Sequence, residues 1–141
     1  MNDATIAFEP FLDEDVRRFI VDGADMYNIS VTGMADYAPV NFVLRGERGD
    51  VLGGLLGQLW GAWLQVGYLW VSASERGKGY GAKLLTAAED YARTKGAVGA
   101  TLETFSFQAR PFYERLGYEP CGKLDGYPPG HAKFFLHKSL Q

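Results

Sequence analysis

Three glycines within five residues, Gly77, Gly79 and Gly81, stand between the most strand-like and the most helix-like segments of the chain. Upstream, Trp63–Val71 carries the β-branched and aromatic content of a central strand. Downstream, Leu84, Leu85, Ala88, Tyr91 and Ala92 recur at helical spacing across residues 82–95, and Gly96 supplies a stop. A strand that turns through such a loop into a helix collects unpaired backbone N–H groups and the positive end of the helix dipole at one spot. Without Cβ atoms in the way, a ligand can approach that backbone closely. The arrangement suits an anion, with pyrophosphate the common occupant, although a plain connecting loop would use the same residues.

Residues 5–8 alternate as a short opening strand would. Asp13, Glu14 and Asp15 then precede Val16, Phe19, Ile20 and Ala24, which predicts an amphipathic first helix with acids at its favourable end. Residues 23–39 are irregular and rich in Asp, Asn, Thr and Tyr, compatible with a short helix or a loop. Residues 41–45 and Val51–Trp60 read as a hairpin around residues 46–50, and Gly61 breaks the chain before Trp63–Val71. After the strong helix come a strand over Gly99–Phe105, a helix over residues 108–116 stopped by Gly117, and strands over 118–122 and 132–137. The order predicts an α/β (mixed α+β) fold: one central, mostly antiparallel twisted sheet of about seven strands, flanked by about four helices.

At 141 residues the chain is expected to be a single domain spanning residues 1–141. A net charge of −3 argues against nucleic acid as a partner, and no apolar run is long enough to cross a membrane. Cys121 is the only cysteine, and the two histidines, His131 and His137, are isolated, so neither a disulfide nor a metal cluster is expected. Cys121 itself reads as a small buried strand residue. No secretory signal is visible, and the expected compartment is the cytoplasm. Trp60, Trp63, Tyr68 and Trp70 read as core aromatics with an edge at a homodimer contact, or as a wall for a substrate.

The loop lacks the Gly-x-x-x-x-Gly-Lys-Ser/Thr pattern of nucleotide-triphosphate sites and the full Gly-x-Gly-x-x-Gly dinucleotide fingerprint. Read as Arg76-x-x-Gly79-x-Gly81, it resembles the signature of the GNAT superfamily of acyl-CoA-dependent N-acyltransferases. A second segment, with Ala109 followed four residues later by Tyr113 and then Leu116-Gly117-Tyr118, is similar to that family's other signature. The element order matches over almost the whole chain, and residues 63–118 match best.

The resemblance implies acetyl-CoA as co-substrate. Backbone groups of Leu69, Trp70 and Val71 would lie along the pantetheine arm, and N–H groups of Arg76, Gly77, Lys78, Gly79, Tyr80, Gly81 and Ala82 would hold the pyrophosphate. Phe112 would pack beside the cofactor. Tyr113 would be the general acid that returns a proton to the departing thiolate. Two positions depart from the family pattern. Gln65 stands where a catalytic glutamate is often found, and glutamine cannot serve as a base. Ser106 stands where an asparagine often meets the pantetheine, leaving Ser106 or Gln108 as substitutes.

Glu103, a charge inside a strand beside the expected groove, is then the best carboxylate for base or amine-binding duty, with an ordinary ion pair as the alternative. Gln65, Tyr68, Tyr127 and His131 are candidate contacts of the acceptor, which the resemblance puts between residues 25–37 and residues 125–131. Asp22, Asp25 and Asp36 would favour a cationic acceptor. The expected activity is transfer of acetyl to a primary amine of a small molecule or peptide, by direct attack in a ternary complex. The alternative, from another class, is a non-catalytic acyl-CoA-binding module. The missing glutamate favours that alternative and Tyr113 opposes it.

Overall fold

The computed structural model describes residues 3–141, which divide into two compact units, one ending at Ala35 and one running from Asp36 to Gln141. The first holds helix α1 (Glu14–Thr32). Asp13 caps it by accepting the Asp15 N–H at 2.8 Å, and Gly33, at φ +71°, closes it with its N–H on the Ile29 carbonyl. The helix runs on through residues that looked irregular in sequence. Its polar residues do not break it, because the Ser30 and Thr32 hydroxyls donate to the Tyr27 and Asn28 carbonyls one turn back. Residues 5–8 are not a strand. Their alternation is right, but a strand needs a partner, and the described residues of this unit contain no strand to pair with.

The second unit is a mixed sheet in the order β1-β2-β3-β4-β6-β5. Its strands are β1 (Ala38–Arg45), β2 (Val51–Trp60), β3 (Trp63–Val71), β4 (Gly99–Phe105), β5 (Glu119–Asp125) and β6 (Ala132–Ser139). Every neighbouring pair is antiparallel except β3 with β4, which are joined through α2 (Tyr80–Thr94). A shorter helix, α3 (Arg110–Arg115), follows β4. The described residues thus form six strands and three α-helices with one 3-10 turn, Ala73–Glu75, against the seven and four expected. The mixed, mostly antiparallel architecture is the one the sequence predicted.

Helix α2 lies across β1, β2 and β3 and buries Leu84, Leu85, Ala88 and Ala92 against Val40, Leu55, Leu64 and Val66. Each fully buried aliphatic side chain contributes about 1.5–3 kcal/mol, so this face dominates the stability of the unit. Phe112, Tyr113 and Leu116 of the α3 region join the same core, which fixes α3 to the helix side of the sheet. Cys121 corrects its expected burial: β5 is the outermost strand, all its residues are exposed, and the thiol sulfur lies 3.4 Å from the Phe135 carbonyl oxygen.

Candidate active site

The central feature is a parting of strands. β3 and β4 are paired only from Trp63 with Gly99 to Val66 with Leu102, and beyond that point they separate. At the same level β3 carries a bulge. Leu56 of β2 faces Tyr68 while Gly57 faces Val66, leaving Gly67 unmatched. The bulge resets the alternation of β3: Leu64 and Val66 are buried before it, and Leu69 and Val71 pack toward the core after it. Tyr68 and Trp70 are therefore turned outward, at 73% and 57% exposure, and do not enter the core as the sequence suggested.

A cavity of about 480 Å³ fills the cleft between the parted strands. Residues 66–71 of β3 form one wall, Leu102, Glu103 and Thr104 of β4 the other, and Gln108, Ala109, Tyr113 and Arg76 complete it. The structure thus brings Tyr68, Leu69, Trp70, Val71, Arg76, Glu103, Gln108 and Tyr113 to one space. A second cavity of about 310 Å³ continues from it on the β4–β6 side and is lined by Gln65, Glu103, Phe105, Gln108, Lys133 and Phe135, among others. Gln65 faces Gln58 across the β2–β3 ladder and reaches only this second cavity.

The glycine loop lies at the start of α2. Gly79 is its N-cap at φ +83°, a conformation that other residues adopt with strain, and it has no side chain to offer the helix. No acidic residue occupies the first turn. The helical ladder begins with the Lys83 N–H on the Gly79 carbonyl at 3.1 Å, which leaves the amides of Tyr80, Gly81 and Ala82 as the open donors. Space is open where side chains at Gly77 and Gly79 would project. A Cβ on Gly81 would sit 3.2 Å from the ring of Phe112, so this glycine lets α3 pack on the first turn of α2. The two sequence signatures therefore touch where the open amides of α2 begin.

The nearby cations are partly committed elsewhere. Arg76 donates from Nε to the Val71 carbonyl at 2.9 Å, tying the loop to the end of β3. Lys78 pairs with Glu75 at 2.8 Å, while Lys83 lies 5.6 Å from the centroid of the Tyr80 ring. Tyr113 packs edge-on against Phe112 at 5.1 Å and Tyr118 at 6.0 Å. Burial pushes its phenol above the ordinary value near 10, so it stays protonated through neutral pH.

Ser106 and Gln108 are separated by the structure. The Ser106 hydroxyl accepts the Ala132 N–H at 3.0 Å, and Ser106 lines neither cavity. Gln108 lines both, with its Oε1 accepting the Phe105 N–H at 3.0 Å and its amide nitrogen left for other partners. Glu103 is half-exposed and pairs through Oε2 with Lys133 at 2.6 Å, an interaction that holds the ammonium protonated above its usual range. Lys133 had no signal in the sequence, because only the β4–β6 register reveals that it reaches the carboxylate. Tyr127 and His131 lie outside both cavities, in an aromatic group with Phe105 and Phe107.

Among the described residues, no three His, Cys, Asp or Glu side chains gather as a metal would require, and no helix is long and apolar enough to cross a membrane. The family model of the GNAT acetyltransferases matches residues 4–118. The chain belongs to the GNAT acetyltransferase family. It is 45% identical over 96 residues to the GNAT relative blasticidin-S acetyltransferase of Streptomyces morookaense, covering 67% of this chain and 71% of that one. An acetyltransferase of Agrobacterium fabrum is 34% identical over 126 residues, 89% of this chain and 92% of its own. The crystal structure of an acetyltransferase from Agrobacterium tumefaciens superposes on this GNAT chain with a TM-score of 0.90 at 32% identity, covering 96% of this chain and 99% of the other.

Proposed function

We propose that this GNAT acetyltransferase is one catalytic domain over residues 1–141 that transfers acetyl from acetyl-CoA to a primary amine, by direct attack within a ternary complex. The observation that carries the reading is that Tyr113 and Glu103 line one cleft between parted strands, with the uncapped start of α2 in the segment that follows β3. The relative that acts on blasticidin S supports a small molecule as the acceptor class. The exposed lone cysteine offers no disulfide of the kind an oxidising compartment favours, in keeping with a cytoplasmic setting.

Acetyl-CoA supplies an activated acyl carbon as a thioester. The amides of Tyr80, Gly81 and Ala82 would hold its pyrophosphate, where the helix dipole adds to their charge. Backbone groups of Leu69, Trp70 and Val71, which have no β4 strand partner, would lie along the pantetheine arm, the Val71 carbonyl being taken by Arg76, and an N–H in this stretch would polarise the acyl oxygen. Tyr113 holds a proton on its phenol oxygen for the leaving sulfur. Glu103, positioned through Oε2 by Lys133, accepts through its second oxygen or a water the proton that the acceptor's ammonium must lose before its nitrogen can attack.

Calorimetric titration with acetyl-CoA, followed in the same preparation by free-thiol release across polyamines, amino acids, aminoglycosides and peptides, tests the reading. Binding with amine-dependent release is expected. Binding with no release from any amine would replace catalysis with an acyl-CoA-binding role, and absence of binding would remove the pyrophosphate site.

A further inference from the structure

The acceptor end of the site carries more aromatic surface than the core requires. Phe105 closes β4, Phe107 stands in the turn after it, and Tyr127 comes from the β5–β6 connection. Their rings form an offset stack: Phe107 lies 5.3 Å from Phe105 at an interplanar angle of 4°, and Tyr127 lies 5.6 Å from Phe105 at 13°. None of the three belongs to the buried core cluster, and Phe107 and Tyr127 are 56% and 50% exposed. Leaving such rings in water forgoes burial that the chain could otherwise gain.

The platform is also rigid. The Ser106 N–H donates to the Ala132 carbonyl at 2.8 Å while the Ser106 hydroxyl accepts the Ala132 N–H at 3.0 Å, which locks the end of β4 to the start of β6. Gln108 closes the turn from below, its N–H on the Phe105 carbonyl at 2.9 Å. His131 meets the Phe107 ring edge-on at 4.9 Å. The three rings are thus held parallel before any ligand arrives, and preorganisation of this kind lowers the cost of binding.

Position and charge narrow what such a surface can take. Phe105 lines the second cavity, which shares Glu103 and Gln108 with the cofactor cleft. Lys133 lies 5.0 Å from the Tyr127 centroid and 5.8 Å from that of Phe105, and its charge is matched by Glu103 at 2.6 Å. A cation beside the rings is therefore already supplied by the protein itself, and the half-exposed Phe107 and Tyr127 rings offer apolar surface suited to an uncharged flat group.

Resting on the acetyltransfer reading, we propose that the acceptor is an amine carried on a short arm from a flat aromatic or heteroaromatic ring. The ring stacks on the Phe107–Phe105–Tyr127 platform, and the amine reaches past Glu103 into the cleft.

The test compares amines matched in arm length, 2-phenylethylamine and tryptamine against 2-cyclohexylethylamine, with putrescine as an open-chain control. Thiol release from acetyl-CoA should show kcat/KM about tenfold higher for the flat rings, the scale expected of one stacking contact. Phe107→Leu should bring that ratio to within about twofold of unity. Equal use of flat and saturated rings, or an unchanged ratio in Phe107→Leu, would overturn the platform while leaving acetyltransfer standing. Direct calorimetric titration of the protein with 2-phenylethylamine and 2-cyclohexylethylamine gives a readout independent of turnover. A preference for the flat ring there supports the platform even if no amine releases thiol, an outcome that would instead sink the acetyltransfer reading. Equal binding overturns it.

Discussion

The phenol of Tyr118 donates a 2.8 Å hydrogen bond to the carboxylate of Glu89 in the interior of the protein, joining the segment after α3 to the middle of α2. Lys138 of β6 donates to the other carboxylate oxygen at 3.0 Å, so one buried acid ties three elements together. Removing one partner leaves a buried charge short of a bond. Tyr118→Phe should destabilise the protein by about 1–3 kcal/mol in urea unfolding. Burial and the Glu89 carboxylate also push the Tyr118 phenol far above its ordinary value. A raised pKa in the folded state gives stability that is complete below the unfolded value near 10 and declines as pH rises beyond it. The unfolding free energy measured from pH 8 to 11 should therefore fall more steeply in the parent than in Tyr118→Phe.

Tyr113→Phe keeps the ring in its pocket and removes the proton. Steady-state kinetics should show kcat reduced by about 10²–10⁴, with acetyl-CoA affinity by calorimetry changed less than about twofold. Because burial keeps this phenol protonated, the loss should be constant between about pH 6 and 9, well below the ordinary tyrosine range.

Gly79→Ala places a Cβ at φ +83° at the N-cap of α2. The strain, about 1–2 kcal/mol, is relieved only by turning the peptide plane, which re-aims the open amides. Coenzyme A should bind about tenfold more weakly in calorimetric titration, while thiol release at saturating acetyl-CoA falls much less.

Glu103→Gln removes the proposed proton acceptor and the ion pair with Lys133 together. The expected result is a fall of about 10²-fold in kcat/KM for the amine with acetyl-CoA binding unchanged. If acetyl-CoA affinity drops in parallel, Glu103 serves the architecture of the cleft and not the proton transfer.

Ala62, in the two-residue turn between β2 and β3, has φ +65°. This conformation suits glycine in hairpin turns of that length. Ala62→Gly should raise stability by up to about 1 kcal/mol, seen as a higher urea midpoint with an unchanged slope.

The bounds of β2, β3 and β4 were legible to the residue because glycine turns bracket runs of strand-forming side chains. The loop before α2 was legible for the same reason, and the helix begins at Tyr80, two residues earlier than its apolar spacing announced. What stayed hidden depends on long-range registration. The Gly67 bulge, which turns Tyr68 and Trp70 away from the core, is visible only in the pairing with β2. The Glu103–Lys133 pair depends on how β4 meets β6. Residues 5–8 mislead because alternation records a preference and supplies no neighbour, and Cys121 because a strand's exposure is set by its rank in the sheet.

Where β3 and β4 separate, the backbone of residues 68–71 keeps its ladder to β2 but has none on the β4 side, an unfinished margin in the middle of the molecule. A ligand arm bearing amides would complete it, and any molecule that binds only the folded form shifts the folding balance by mass action, by about 2.7 kcal/mol at one hundred times its dissociation constant. The donor would then act as a missing piece of the sheet as well as a reagent. The folded form would be favoured most where acetyl-CoA is plentiful.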